Sequence, residues 1–85
     1  MEGLEAIINL LEDILQDRIV PRNIKESIQQ AKTYLEDKEK ELDVKTSSAI
    51  SILDEITNDP NIPMHTRTQI WNAVSMLEMV KGGKS

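Results

Sequence analysis

The sequence contains an internal repeat, and this feature constrains the fold more than any other. Shifting residues 8–38 forward by 42 positions aligns them with residues 50–80 and gives nine identities. Most of the identical residues occupy apolar positions or one central turn, where two copies of the same backbone need the same residue types. In the first copy they are Ile8, Leu11, Ile14, Asp17, Pro21, Ile28, Ala31, Leu35 and Glu36.

Each copy is predicted to contain two helices joined by a turn. In the first copy, apolar residues recur every three or four positions before Asp17 and again after Pro21, which is the spacing of a helix with one buried face. This spacing predicts helices over about residues 2–16, 21–40, 44–57 and 63–81, with Leu42 continuing the apolar stripe of the second helix. Asp43 is the expected N-cap of the third helix, and Thr46 is the alternative.

The repeat also predicts how the helices pack. A pair of short helices cannot bury its apolar face alone, whereas two pairs packed together can. We therefore expect an all-α fold of four antiparallel helices, built as two related helical hairpins in a single domain of residues 1–85. The first repeat is predicted at about residues 4–40 and the second at about 44–81, with residues 82–85 as a mobile tail. The sequence leaves open whether the hairpins close into a four-helix bundle or stack as an open, HEAT-like pair.

The turn of each copy contains an aspartate followed four positions later by a proline. These residues are Asp17 and Pro21 in the first copy, and Asp59 and Pro63 in the second. Proline suits the start of a helix because its φ angle is already helical and its missing N–H is not needed there. Each carboxylate is expected to accept hydrogen bonds from free backbone N–H groups. We therefore interpret all four residues as structural, with a metal-binding or catalytic role for the two aspartates as the alternative.

Acidic pairs recur near the ends of the first and third helices, at Glu12-Asp13 and Asp54-Glu55. Carboxylates at these positions face the unfavourable end of the helix dipole. We expect ion pairs with arginines across the hairpins to compensate, and the candidates are Arg18, Arg22 and Arg67. The alternative is that the four carboxylates line an acidic cleft for a cation or a basic partner.

The fourth helix carries more apolar residues than one buried stripe needs. Beyond the stripe that includes Ile70 and Leu77, it contains Trp71, Met76 and Met79. This helix is therefore either the most enclosed of the four or in contact with another molecule. Methionine suits a contact surface because its flexible thioether adapts to different shapes. We predict an interaction face at Trp71, Met76 and Met79, for a second copy of the chain or for a protein partner.

The charge and composition argue against several functions. The net charge is −5, which does not favour binding to nucleic acid or to anionic membranes. Cysteine is absent, and no apolar run approaches the roughly 20 residues that span a bilayer. With no basic and apolar signal sequence at the N-terminus, we expect a cytoplasmic protein. The basic residues that would support an RNA-associated protein are Arg22, Lys25, Lys32 and Arg67.

Residue patterns for catalysis or cofactor binding are not found in the sequence. There is one histidine, His65, and no Glu-x-x-His pair of the kind that holds a di-iron site in helical bundles. Neither a glycine-rich phosphate loop nor a nucleophile elbow is present. A cluster of serines is interpreted as the cap and solvated face of the third helix, at Ser47, Ser48 and Ser51. We therefore expect no enzymatic activity, no cofactor and no metal site.

The turns and the helices around them carry two resemblances. The turn followed by Ile28-x-x-Ala31-x-x-x-Leu35, with its equivalent in the second copy, resembles the helical hairpins of HEAT-type repeats. The stretch over residues 53–67, with the matching turn at residues 14–21, resembles a family of small archaeal proteins, uncharacterised protein family 0147. That second resemblance covers nearly the whole chain and implies a compact four-helix domain in the archaeal cytoplasm. It implies no activity and supplies no site residues.

The sequence as a whole predicts a small, non-catalytic protein-binding or assembly module. The first alternative is a homo-oligomeric structural module that dimerises through the fourth helix. The second alternative is an RNA-associated accessory protein. The protein-binding module and the homo-oligomeric module differ in what covers the apolar part of the fourth helix. It is another protein in the first case and a second copy of this chain in the second.

Overall fold

The computed structural model describes the backbone of residues 2–82 and the side chains of residues 4–81. Four helices are present: α1 (Glu2–Leu15), α2 (Arg22–Glu36), α3 (Leu42–Ile56) and α4 (Met64–Gly82). No β-strand occurs within residues 2–82. The prediction of an all-α fold is therefore confirmed.

Each helix buries one stripe of residues spaced three or four positions apart, as expected for amphipathic helices. The stripes of α2 and α4 match each other across the repeat: Ile28 and Ile70 are both fully buried, and so are Ala31 and Ala73. The core consists of aliphatic side chains, and two buried threonines, Thr46 and Thr66, border it.

The four helices form a closed ring rather than an open stack. α1 packs against α2 and α4, and α3 packs against the same two helices. The side chain of Asp17, just after α1, contacts His65 at the start of α4, and Asn23 at the start of α2 contacts Asp59, just after α3. Neighbouring helices therefore run antiparallel. The contact between α1 and α4 joins the first hairpin to the second and closes the bundle.

The boundary between α2 and α3 differs from the sequence prediction. α2 ends at Glu36, before the predicted residue 40, because the Asp37 carboxylate accepts a hydrogen bond from the Glu39 backbone N–H at 2.9 Å. Leu42 opens α3 and packs against the core from there. Neither predicted cap is correct. The N-cap position is Glu41, and Thr46 lies inside the helix, where its hydroxyl donates to the Leu42 carbonyl at 2.7 Å.

All three loops between helices have the same turn. In each one an aspartate side chain accepts a hydrogen bond from the backbone N–H two residues later. The pairs are Asp17 with Ile19, Asp37 with Glu39 and Asp59 with Asn61, at 2.9 to 3.0 Å. In each loop, the residue four positions after the aspartate is the last one before the next helix. These residues are Pro21, Glu41 and Pro63.

The fourth helix ends close to the predicted position, at Gly82. The rest of the predicted tail, residues 83–85, lies outside the described residues. No helix within the described chain combines the length and hydropathy that crossing a membrane requires.

Candidate functional site on the outward face of α4

The outward face of α4 exposes large apolar side chains. Met64 is 72% exposed, Trp71 is 53% exposed and Met79 is 76% exposed. Thr68 and Ser75 lie between them and are also exposed. The spacing of these five residues places them on one side of the helix. We refer to Met64, Thr68, Trp71, Ser75 and Met79 as the outward strip.

The structure separates the three residues that the sequence suggested as one interaction face. Trp71 and Met79 belong to the outward strip, whereas Met76 is half-buried and packs against the core. Met76 follows Trp71 by five residues, which is about 140° around a helix, so the two side chains cannot share a face. Met64 was not singled out from the sequence, although it precedes Trp71 by two helical turns.

The outward strip lies between α1 and α3. α4 packs against both of these helices, and within the described chain α2 lies diagonally across the bundle from it. On α3, Ser47, Ser48, Ser51 and Ile52 line a groove shared with α2. Asp54 is the repeat equivalent of Glu12, which faces the second helix of its own hairpin, so Asp54 lies on the flank of α3 toward α4.

The flank of α1 that faces α4 is also acidic. Glu12 on α1 bonds Lys32 of α2, so the opposite flank of α1, with Asp13, faces α4. Asp17, at the end of the same flank, contacts α4 directly through His65. The exposed carboxylates beside the strip are referred to as the acidic rim, which consists of Asp13, Asp54 and Glu78.

The repeat reveals an electrostatic difference between the two hairpins. In the first hairpin, Lys32 Nζ lies 3.3 Å from a carboxylate oxygen of Glu12 and 3.3 Å from one of Glu36. These two glutamates raise the pKa of Lys32 above its usual value, with the hydrogen bond to Glu12 as the largest cause. The residues 42 positions later are Asp54, Val74 and Glu78. The second hairpin therefore keeps both carboxylates and has valine in place of the lysine.

The two turns at one end of the bundle are tied to each other by polar contacts. His65 Nε2 lies 2.7 Å from Asp17 Oδ2, and the equivalent pair is Asn23 Nδ2 with Asp59 Oδ2 at 3.4 Å. The pKa of Asp17 is lowered, first by the hydrogen bond with His65 and then by the one from the Ile19 backbone N–H. Two of the four predicted turn residues, Asp17 and Asp59, therefore each contact the opposite hairpin. Pro21 and Pro63 each precede a helix and accept its first backbone hydrogen bond.

Most of the basic residues suggested as an RNA-binding group are engaged with the protein. Lys32 lies between two glutamates, and Arg67 donates from Nη2 to the Asp59 carbonyl at 3.0 Å. Lys25 is half-buried near Asp17 and contributes to lowering the pKa of Asp17. Arg22 is exposed.

The grooves in the structure lie away from the outward strip. One groove, of about 520 Å³, is lined by Leu4, Glu5, Ile8, Leu35, Glu36, Lys38 and Lys45. The second, of about 410 Å³, contains the three serines predicted to be a solvated face, with Gln30, Tyr34 and Ile52. His65 lines neither groove. Among the described residues no three histidine or carboxylate side chains are grouped so as to hold a metal ion.

Comparison with known proteins gives consistent matches over nearly the full chain. Residues 1–80 match the model of an uncharacterised protein family, UPF0147. The UPF0147 protein of Methanocaldococcus jannaschii is 49% identical over 94% of this chain and 86% of its own length. A crystal structure of a family protein from Thermoplasma acidophilum is 34% identical, with a TM-score of 0.89 and 93% of each chain covered. A crystal structure of a protein of unknown function, MMP1188, is 50% identical, with a TM-score of 0.86 over 89% of this chain and 86% of that one.

Proposed function

We propose that this chain, which belongs to the uncharacterised protein family UPF0147, is a small, non-catalytic protein-binding module that acts in the cytoplasm. Its binding surface is the outward strip of α4. The proposal is supported by the position of Trp71, Met64 and Met79 on a helix whose opposite side already completes the core. The cytoplasmic setting agrees with a sequence that contains no cysteine.

The observation that carries this proposal is the exposure of Trp71. Its side chain is 53% exposed, and the core cluster is built without it. Tryptophan and methionine are enriched in protein interfaces, and tryptophan is among the residues that contribute most to binding energy. An apolar strip with charged residues at its edge has the organisation of an interface core and rim.

A second copy of the same chain is a less suitable partner for the strip. A two-fold interface brings the same surface of both copies together. Both copies would bring the carboxylates of their acidic rims into one interface, and each chain has a net charge of −5, so electrostatic repulsion opposes association. The homodimer therefore ranks behind a different protein partner.

RNA is also a less suitable partner than a protein. Binding to phosphates needs clustered lysine and arginine side chains that are free to contact them. Lys32 and Arg67 already make contacts within the protein, and the outward strip has carboxylates at its edges. The strip is thus better matched to an apolar protein surface than to a nucleic acid.

Site-specific photo-crosslinking in an archaeal host tests the proposed function. A photoreactive amino acid is placed at Ser75, in the middle of the strip, or at the exposed Gln30 on α2, the helix diagonally across the bundle from α4. We expect a crosslinked product from position 75 that is weakened by Met79→Glu, and no such product from position 30. Equal crosslinking at both positions would contradict the proposal. A product of twice the chain mass would instead favour the homodimer.

A further inference from the structure

We infer that the partner of the outward strip is a basic amphipathic helix of another protein. The apolar side of this helix covers Trp71, Met64 and Met79, and one of its lysine or arginine side chains lies between Asp54 and Glu78. The inference rests on the proposed function and adds the chemistry of the partner.

The first hairpin shows which group fits between the two carboxylates. Lys32 occupies that position between Glu12 and Glu36, with both nitrogen-to-oxygen distances at 3.3 Å. The equivalent backbone positions in the second hairpin carry Asp54, Val74 and Glu78. Both carboxylates there are exposed, and in the described part of the chain neither forms an ion pair. A cation from a partner would complete the arrangement that the chain completes for itself in the first hairpin.

Trp71 lies beside this position. It precedes Val74 by three residues and Glu78 by seven, so the three side chains are neighbours on the helix surface. An ammonium or guanidinium group between the carboxylates would therefore be near the indole ring, which attracts cations through its π face. The long apolar stem of a lysine or arginine would also pack on the exposed ring.

The length and charge pattern of the strip fit a helix. From Met64 to Met79 the strip extends about 22 Å, which corresponds to about four helical turns of a partner. An amphipathic helix can lay its apolar side along such a surface. Basic residues at the edges of that helix would face the acidic rim on both sides, so the charges of the two surfaces are complementary.

The outward strip of a second copy does not supply the cation at the centre of the interface. The outward strip contains no lysine or arginine. Arg67, one turn before Trp71 on α4, donates to the Asp59 carbonyl of its own chain, and Lys81 lies beyond the end of the strip. Two strips in contact would place four carboxylates from Asp54 and Glu78 in one interface, and neither strip would contribute a lysine or arginine. A partner with basic residues avoids this repulsion.

Tryptophan fluorescence provides a direct test, because Trp71 is the single tryptophan of the chain. The full chain is titrated with a synthetic 14-residue peptide that forms an amphipathic helix of leucine and lysine, and separately with its leucine and glutamate counterpart. We expect the lysine peptide to shift the Trp71 emission to shorter wavelength in a saturable manner. The glutamate peptide should leave the emission unchanged, and added salt should weaken binding of the lysine peptide.

Variants locate the interaction. The double variant Asp54→Asn with Glu78→Gln is expected to bind the lysine peptide about tenfold more weakly. The control removes the same charge elsewhere, with Glu26→Gln and Glu55→Gln, and should bind like the wild type. Val74→Lys supplies an internal cation and should also weaken binding, whereas Gln30→Lys adds the same charge on α2 and should not.

The outcomes separate this inference from the proposed function. Equal binding of the two peptides, or equal loss of binding in the Asp54/Glu78 and Glu26/Glu55 variants, would overturn the basic partner. The strip could still be the site of crosslinking from Ser75, because that experiment does not depend on the partner's charge. If Val74→Lys fails to fold, as judged by circular dichroism, the Asp54/Glu78 variant decides the question.

Discussion

His65 at the start of α4 lies 2.7 Å from Asp17 in the turn after α1, and this contact joins the second hairpin to the first. The equivalent pair in the repeat is Asn23 with Asp59, at 3.4 Å. The two contacts are related by the same 42-residue shift as the rest of the fold. They hold together the two turns at one end of the bundle, and only the first includes a histidine.

The contact between Asp17 and His65 predicts a specific loss of stability in acid. Because the pKa of Asp17 is lowered in the folded protein, its contribution is present above the ordinary value of 3.8 and is lost as the pH falls through the folded pKa. Asp17 faces His65 of α4 and Lys25 of α2, and both charges act in the same direction. Thermal melts should show Asp17→Asn less stable than the wild type at pH 6, with the difference disappearing in stronger acid.

A double-mutant comparison assigns this effect to His65. His65→Asn places at position 65 the residue found at the repeat-equivalent position 23. In this background, Asp17→Asn should lower the thermal stability less at pH 6. A difference between wild type and Asp17→Asn that stays constant with pH would contradict the predicted pKa effect.

The shared geometry of the three loops predicts that Asp37 is as important as the two repeated aspartates. Asp17→Ala, Asp37→Ala and Asp59→Ala each remove the acceptor for a backbone N–H in the turn. All three variants should melt at a lower temperature than the wild type. Asparagine at the same positions retains an oxygen acceptor and should lower the melting temperature less. An Asp37→Ala variant with an unchanged melting temperature would show that the second loop does not need this bond.

The equivalence of the two hairpins predicts that matched core substitutions lower the free energy of unfolding by similar amounts. Ile28 and Ile70 are both fully buried, so replacing either with alanine should lower the free energy of unfolding by about 2–5 kcal/mol. Ile19, which is 68% exposed, is the control. Ile19→Ala should change the free energy of unfolding by no more than about 0.5 kcal/mol. Urea denaturation measures all three values. A loss at Ile19 as large as the loss at Ile70 would contradict the assignment of the core.

The acidic rim predicts that the free protein is a monomer. Light scattering at neutral pH should give a mass near 9.7 kDa, because self-association through α4 would bring like charges together. A mass near twice this value that returns to the monomer value in Met79→Glu would establish the homodimer instead.

The sequence predicted the helices and the core well because both depend on periodicity. Ile28 and Ile70 lie on stripes whose spacing is visible without coordinates, and both are buried. The α2–α3 loop was placed too late because Asp37 is followed by charged residues rather than by the proline that marks the other two turns. Its signal was the aspartate itself, 20 residues after Asp17 and 22 before Asp59.

The candidate site was predicted only in part. Trp71 and Met79 were identified by residue type, but the position around the helix axis decides which side chains share a face, and this separated Met76 from them. The identical residues of the repeat do not reveal the place between Asp54 and Glu78. The informative position is one where the copies differ, with Lys32 in the first and Val74 in the second.

The methionine methyl spectrum tests most directly whether the outward face of α4 is the binding surface. The chain has four methionines, of which Met64 and Met79 lie on the strip and Met76 packs against the core. When the ¹³C-methyl-labelled protein is titrated with the leucine and lysine peptide, the signals of Met64 and Met79 should shift together while that of Met76 stays in place. A shift confined to Met76, or a saturable interaction that moves neither Met64 nor Met79, would contradict the account.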